Sequence, residues 1–331
     1  MNKKLISIVT PCYNEEENVK LVYTKAKEIF FQLSQYEYEH IFIDNCSTDK
    51  SLILLREIAK VDKKVKVIVN SRNFGHIKSP YYALLQSNGD AVILLVADLQ
   101  DPPEMIKEFI QKWEEGYKVV IGEKQNSKES AILYLIRKTY YHVVNKLAEI
   151  PLCKNFTGFG LYDREIIDIL KTLNDPYPYF RGIICEIGFP MYKIGYEQPR
   201  RKRGITKNNM YTLYDIAMLG ITSHSKVPLR IATISGFIIS ILCLITAGIY
   251  FMYKLIRWDS FSVGIAPIVI GLFFFFSINL FFLGVVGEYI GAIHTQVLKR
   301  PLVIEKERIN FEDIKMKKVK NIDGRNLQKP L

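Results

Sequence analysis

The sequence is poor in the residues that carry transition-metal or redox chemistry. Its five cysteines (Cys12, Cys46, Cys153, Cys185, Cys243) are scattered, and none has the paired spacing of a zinc or thiol–disulfide motif. The five histidines are equally isolated. This argues against zinc and redox functions and suits a reducing compartment. The stretch before residue 10 does not read as a signal peptide, because Leu5 to Val9 is a short apolar run that leads into a turn. There is no internal repeat. Gly158-Phe159-Gly160 is not a dinucleotide fingerprint, since the third glycine is missing and no buried strand is predicted before it.

Acid is also scarce relative to base. Among 331 residues, 34 Asp and Glu face 45 Lys and Arg, for a formal net charge of +11. That balance suits nucleic acid, an anionic membrane surface or phosphorylated substrates. The distribution of apolar residues separates these options. Residues 231–253 and 263–287 carry no charge at all, and each exceeds the ~20 residues that cross a bilayer core as a helix. Neither has the polar face of a soluble amphipathic helix, so both read as transmembrane spans forming a tight hairpin. Arg200 to Arg203, Lys207, Lys226 and Arg230 precede the first span, and Lys299, Arg300, Lys306 and Arg308 follow the second. The positive-inside rule then places both long flanks in the cytoplasm, giving a multi-pass protein of the cell membrane. With its basic residues gathered beside the spans, the chain is not expected to bind nucleic acid.

The first half alternates strand-like and helix-like patterns. Strands are expected at Leu5–Pro11, His40–Asp44, Val65–Val69, the apolar run from Val92 and Lys118–Ile121. Helices are expected from a capping box at Asn14 to about Phe31, near Lys50–Lys60, Ile77–Ser87 and Pro103–Glu115. This alternation predicts an α/β fold with a doubly wound, mostly parallel sheet. Further along, Glu129–Ala148 and Arg164–Leu173 read as helices and Phe189–Gln198 as a strand. The resulting division is a cytoplasmic domain over 1–208, an amphipathic interfacial region over 209–230, the two spans within 231–290, and a cytoplasmic tail over 291–331. The charged tail after Pro301 is expected to be partly disordered.

Three strand ends bring polar residues to one rim of that sheet: Pro11, Tyr13, Asn14 and Glu15; then Asp44, Asn45, Ser47 and Asp49; then Asp98, Gln100 and Asp101. Each group alone could be turn and cap chemistry. Together they form an acid-rich crevice where an open α/β sheet binds its ligand. The hard oxygens of Asp98 and Gln100 suit Mg²⁺ or Mn²⁺ carrying a phosphate.

Several segments resemble the successive signatures of glycosyltransferase family 2, in its polyisoprenyl-phosphate branch of bactoprenol glucosyltransferases and dolichol-phosphate mannosyltransferases. They are Pro11-Cys12-Tyr13-Asn14-Glu15, Ile43 to Asp49, Ser71-Arg72-Asn73-Phe74-Gly75, Ala97 to Glu104, Arg201 to Lys207, Ser225 to Arg230 and Gly287 to Gly291. The resemblance implies a GT-A catalytic domain anchored by the membrane hairpin. It also implies transfer of one sugar from a nucleotide sugar to a polyprenyl phosphate, metal-dependent and inverting. Pro11, Tyr13, Glu15, Ile43, Asp44, Ala97 and Asp98 would hold the nucleotide sugar, and Asp98 and Gln100 the metal. Lys124, Arg137, Arg201 and Lys207 would grip phosphate, with Asp98 and Arg201 catalytic. A flippase and further copies of the chain are the protein partners that the family suggests.

The chain departs from the pattern. Val96 stands where many relatives carry an acid, Cys46 where a glycine is common, and Lys124 where an arginine is usual. A lysine cannot hold phosphate bidentately. Gly158 and Gly160 replace an aspartate, proposed as the catalytic base, and an arginine. Asp163 and Glu186 are acids nearby without an evident role. Two alternatives follow: a processive polysaccharide synthase, and a sensor or scaffold that keeps the fold without turnover. The first expects a cytoplasmic Gln-x-x-Arg-Trp. The Arg-Trp here, Arg257-Trp258, follows Lys254 and falls between the spans.

Overall fold

A computed structural model describes residues 3–126, 153, 155–198, 218–220, 222, 225, 227–256 and 265–311. Eight strands lie in one sheet: β1 (Leu5–Cys12), β2 (Glu37–Asp44), β3 (Val65–Asn70), β4 (Ala91–Leu94), β5 (Val119–Asn126), β6 (Phe156–Asp163), β7 (Met191–Glu197) and β8 (Glu305–Ile309). Their order is β7-β5-β6-β4-β1-β2-β3-β8. The pairs β1–β2, β1–β4, β2–β3 and β5–β7 are parallel, and the other three are antiparallel.

The central strands β1 and β4 are mostly apolar and buried because helices cover both faces of the sheet. On one face, α1 (Val19–Gln32), α2 (Ser51–Val61) and α4 (Ile106–Glu114) pack Val22, Leu55 and Phe109 onto Ile8, Phe42 and Ile93. On the other, α3 (Gly75–Leu85), α5 (Arg164–Leu173) and α6 (Phe180–Ile187) pack Tyr81, Ile167 and Ile184 onto Val9, Ile41 and Val92. The predicted doubly wound α/β architecture is present. The chain turns back between β1 and β4, so the sheet has its switch point there.

Four local expectations are corrected. α1 begins at Val19 and not at Asn14, because Asn14 is left-handed (φ 54°) and its side chain accepts from the Thr48 N–H (2.7 Å). Gly158 and Gly160 lie inside a buried strand, β6, which was not predicted because glycine ordinarily weakens strands. Here the reason for Gly160 is close approach: a Cβ on it would stand 2.5 Å from the Val120 carbonyl oxygen. Gly160→Ala is therefore expected to cost about 1–3 kcal/mol, read as a lowered thermal midpoint of the detergent-solubilised protein. α6 was also unpredicted.

The tail is the fourth correction. Residues Glu305–Ile309 are ordered as an edge strand antiparallel to β3. Three of its charged residues, Glu305, Glu307 and Arg308, are paired. Glu307 meets Arg56 (2.5 Å), and Arg308 reaches Glu305, Tyr82 and Gln86. Asn310 follows and donates to the carbonyls of Ala59 (2.6 Å) and Val65 (2.8 Å).

Two long helices, α7 (Val227–Ile256) and α8 (Ile265–Leu298), occupy the apolar part of the chain. Phe274–Leu298 is long and apolar enough to cross a membrane. α8 is fastened at its carboxyl half: the Tyr289 hydroxyl donates to the Ser225 carbonyl (2.6 Å), and Gln296 Nε2 donates to Asp175 Oδ1 (2.8 Å). The helix expected over Glu129–Ala148 and most of the amphipathic region over 209–230 lie outside the described residues.

Candidate active site

The carboxyl ends of β1, β2 and β4 meet at the switch point. In each following loop one residue other than glycine adopts the left-handed conformation: Asn14 (φ 54°), Cys46 (φ 62°) and Leu99 (φ 55°). Such backbone costs an L-residue roughly 1–2 kcal/mol and clusters at functional sites. The conformation at Cys46 is one that glycine adopts without strain.

The first two loops are laced together. Asn14 N–H donates to Ser47 Oγ (2.9 Å), Glu15 N–H to Ser51 Oγ (2.8 Å), Glu16 N–H to Asp49 Oδ2 (3.1 Å) and Lys50 N–H to Glu16 Oε2 (2.9 Å). Asn14, Ser47 and Asp49 are thus the scaffold of the rim. Asp44 is different. It is fully buried, and its Oδ2 accepts from the Ser47 N–H (3.1 Å). Its Oδ1 has no partner among the described residues. A buried acceptor without a donor is costly unless a ligand supplies one. Burial raises the Asp44 pKa, and the bonds from Ser47 oppose the rise. Pro11 pairs with Ile43 across β1 and β2. The Ile43 side chain belongs to the core with Ile68 and Tyr81, which leaves its backbone at the rim.

Beyond β4, the Leu95 N–H still bonds Val9 O (2.9 Å) before the chain turns. Ala97 is buried, and Val96, Asp98 and Gln100 are half-buried. Asp98 Oδ1 accepts from the Gln100 N–H (3.1 Å), which fixes the turn. No group of three or more His, Cys, Asp or Glu side chains fit to hold a metal occurs among the described residues. Asp98 and Gln100 offer hard oxygen donors, and a magnesium-type ion bound chiefly through substrate phosphates needs only one or two protein ligands.

Behind this turn lies a group without an assigned role in the sequence reading. Asp101 is buried, and its Oδ1 accepts from the Tyr196 hydroxyl of β7 (2.5 Å). Burial pushes its pKa up to about 6, and Asp98 adds to the rise; the Tyr196 bond and Lys124 oppose it. Lys124 stands opposite Tyr196 in the β5–β7 register, and its charge is felt at Asp101. Asp101 was visible as a rim acid, but its burial under Tyr196 was not.

Gly158 has φ +102°, and a Cβ there would meet Leu94 and Phe180. The position where the family resemblance implies an acid is thus left-handed and apolar in this chain. Asp163 does not replace that acid. It caps α5 through the Glu165 N–H (3.0 Å) and accepts from Trp113 Nε1 (2.7 Å). Glu186 is exposed on α6. Arg137, Arg201 and Lys207 lie outside the described residues.

A switch-point rim with an orphaned acceptor, an oxygen-donor turn and a lysine beside it lies where open α/β sheets bind their ligands. The family model described as "Glycosyl transferase family 2" matches residues 7–170. An uncharacterized glycosyltransferase of Bacillus subtilis (strain 168), YkcC, is 34% identical over 93% of this chain and 95% of its own length. The SfII prophage-derived bactoprenol glucosyl transferase of Shigella flexneri is 32% identical over 91% of this chain and 97% of its own. The chain belongs to glycosyltransferase family 2 and is a glycosyltransferase with a GT-A-like fold. Among solved structures, glucosyl-3-phosphoglycerate synthase from Mycobacterium tuberculosis, in complex with Mn²⁺, uridine diphosphate and phosphoglyceric acid, is 18% identical. Its TM-score is 0.46, over 66% of this chain and 76% of that one.

Proposed function

We propose that this enzyme transfers one sugar, with inversion, from a nucleotide sugar to a polyprenyl phosphate at the cytoplasmic face of a membrane. The observation that carries the reading is the rim at the switch point, where Asp44 Oδ1 lacks a donor beside the Asp98–Gln100 turn. The bactoprenol glucosyl transferases among its relatives support the acceptor class.

In this reading Asp44 accepts from the N–H or O–H groups of the nucleoside, and the Pro11–Glu15 loop walls its base. Asp98 and Gln100 hold Mg²⁺ or Mn²⁺, which would neutralise charge on the departing nucleoside diphosphate. Lys124 adds a fixed positive charge there. A lipid phosphate monoester with a second ionisation near ~6 is already an anionic nucleophile at neutral pH. Positioning can then replace proton abstraction, consistent with Gly158 in place of a base. α7 and α8 act as a membrane hairpin that keeps the site beside its lipid substrate.

The test is to incubate the purified protein and Mg²⁺ or Mn²⁺ with labelled nucleotide sugars and a polyprenyl phosphate, then extract the lipid. Sugar-labelled lipid that EDTA abolishes is the expected result. Label in a growing polymer, or in no lipid with any donor, would sink the reading. Asp44→Asn is expected to weaken nucleoside diphosphate binding about tenfold, the value of a hydrogen bond to a charged acceptor, measured by calorimetry.

A further inference from the structure

A second positive site lies where α8 meets the sheet. Arg72 is in the loop between β3 and α3, Lys78 is in the first turn of α3, and Arg300 is two residues past the end of α8. Local bonds hold these three segments together. The Ser71 N–H donates to the Ile304 carbonyl (2.9 Å), which fastens the chain just beyond Arg300 to the residue before Arg72. Gln296 in the last turn of α8 donates to Asp175 (2.8 Å). The Lys78 ammonium lies 5.3 Å from the ring centroid of Tyr177, two residues further on.

The cations are held without being neutralised. The Arg72 guanidinium sits 4.0 Å over the Phe74 ring and donates only to the Asn73 carbonyl (3.1 Å). Aromatic faces steady a cation but leave its charge available. Among the described residues no ion pair involves Arg72, Lys78 or Arg300. Asp175 is the carboxylate that faces Lys78, and its Oδ1 already accepts from Gln296 and from the Tyr177 N–H (2.9 Å). Burial holds the Lys78 pKa below the usual lysine value, and Arg72 and Arg300 lower it further. Three crowded cations repel one another, and an anion placed among them turns that repulsion into attraction.

We propose that Arg72, Lys78 and Arg300 bind the phosphate of a membrane lipid just beyond Leu298, where the membrane-length apolar stretch Phe274–Leu298 of α8 ends. The inference rests on the reading of α8 as a membrane helix. It uses residues other than the phosphate-gripping positions that the family resemblance implies. The position fits a lipid: an apolar helix ends in basic residues at the polar margin of the bilayer, where phosphates are concentrated. The lipid is either the polyprenyl phosphate itself or an anionic phospholipid, and one experiment separates them.

The full-length protein is reconstituted in phosphatidylcholine nanodiscs with spin-labelled phosphatidylglycerol or, as reference, spin-labelled phosphatidylcholine. Wild type is expected to immobilise the phosphatidylglycerol label severalfold more than the reference, or to do so with a spin-labelled polyprenyl phosphate instead. The first result assigns the site to phospholipid and the second to the acceptor. The R72Q/K78Q/R300Q variant is expected to lose that preference, and K78Q alone to reduce it, at an unchanged thermal midpoint. Retention in the disc with no headgroup preference in wild type, or an undiminished preference in both variants, overturns the site. Release of the chain from membranes by alkaline carbonate overturns the membrane reading and the site with it.

Discussion

Asp98→Asn is expected to lower sugar transfer by about two to three orders of magnitude, the range found when one preorganised charge-stabilising group is removed. The substitution isolates charge from geometry. An asparagine Oδ1 can still accept from the Gln100 N–H, so the turn and the left-handed Leu99 keep their support. What is lost is the one anionic donor of the proposed metal pair, since Val96 cannot compensate. Single-turnover transfer, thermal midpoint and metal titration should be measured together. Near-normal turnover with an intact fold would show that Asp98 is only a capping residue. A collapse of stability in parallel with activity would place its role in the fold.

The second large effect concerns Asp101 and pH. Its carboxyl is raised to about 6 in the folded chain, against an ordinary value of 3.8. Between those values the unfolded state ionises while the folded state keeps its proton. The folded state then binds more protons, and stability falls as pH rises through this window. Above it the loss is complete and amounts to roughly 3 kcal/mol for such a shift. Asp101→Asn keeps an acceptor for the Tyr196 hydroxyl and removes the ionisation. The variant should therefore gain on wild type between pH 4 and 7, by up to about 3 kcal/mol. Equal pH dependence of the two thermal midpoints would show that Asp101 ionises normally.

How much of this was legible in the sequence depends on what each residue answers to. β1 to β4 and the helices around them announce themselves because a sheet covered on both faces needs unbroken apolar runs, and Ile6 to Val9 or Ile41 to Ile43 supply them. The rim followed, since polar residues after such runs must lie at the strand ends. β6 was hidden because its glycines answer to a neighbouring carbonyl far away in sequence. β8 was hidden because its charges are satisfied by Arg56, Tyr82 and Gln86 on distant helices. Asp44 was named from its place after β2, but its unpartnered oxygen belongs to packing. The same holds for Cys153 and Cys185, isolated in sequence although the Cys153 N–H reaches the Cys185 sulfur (3.3 Å).

The return of the chain to β3 also bears on how the enzyme can be handled. After β7, at one edge of the sheet, the polypeptide runs through both long helices and comes back as β8 at the opposite edge. A fragment made by stopping the chain before α7 would lose more than the two long helices. It would bare the hydrogen-bonding edge of β3, an invitation to self-association, and would strip Arg56 of Glu307. A better fragment would splice a flexible linker across α7 and α8 and retain residues 301–311, so that the returning strand still closes the sheet.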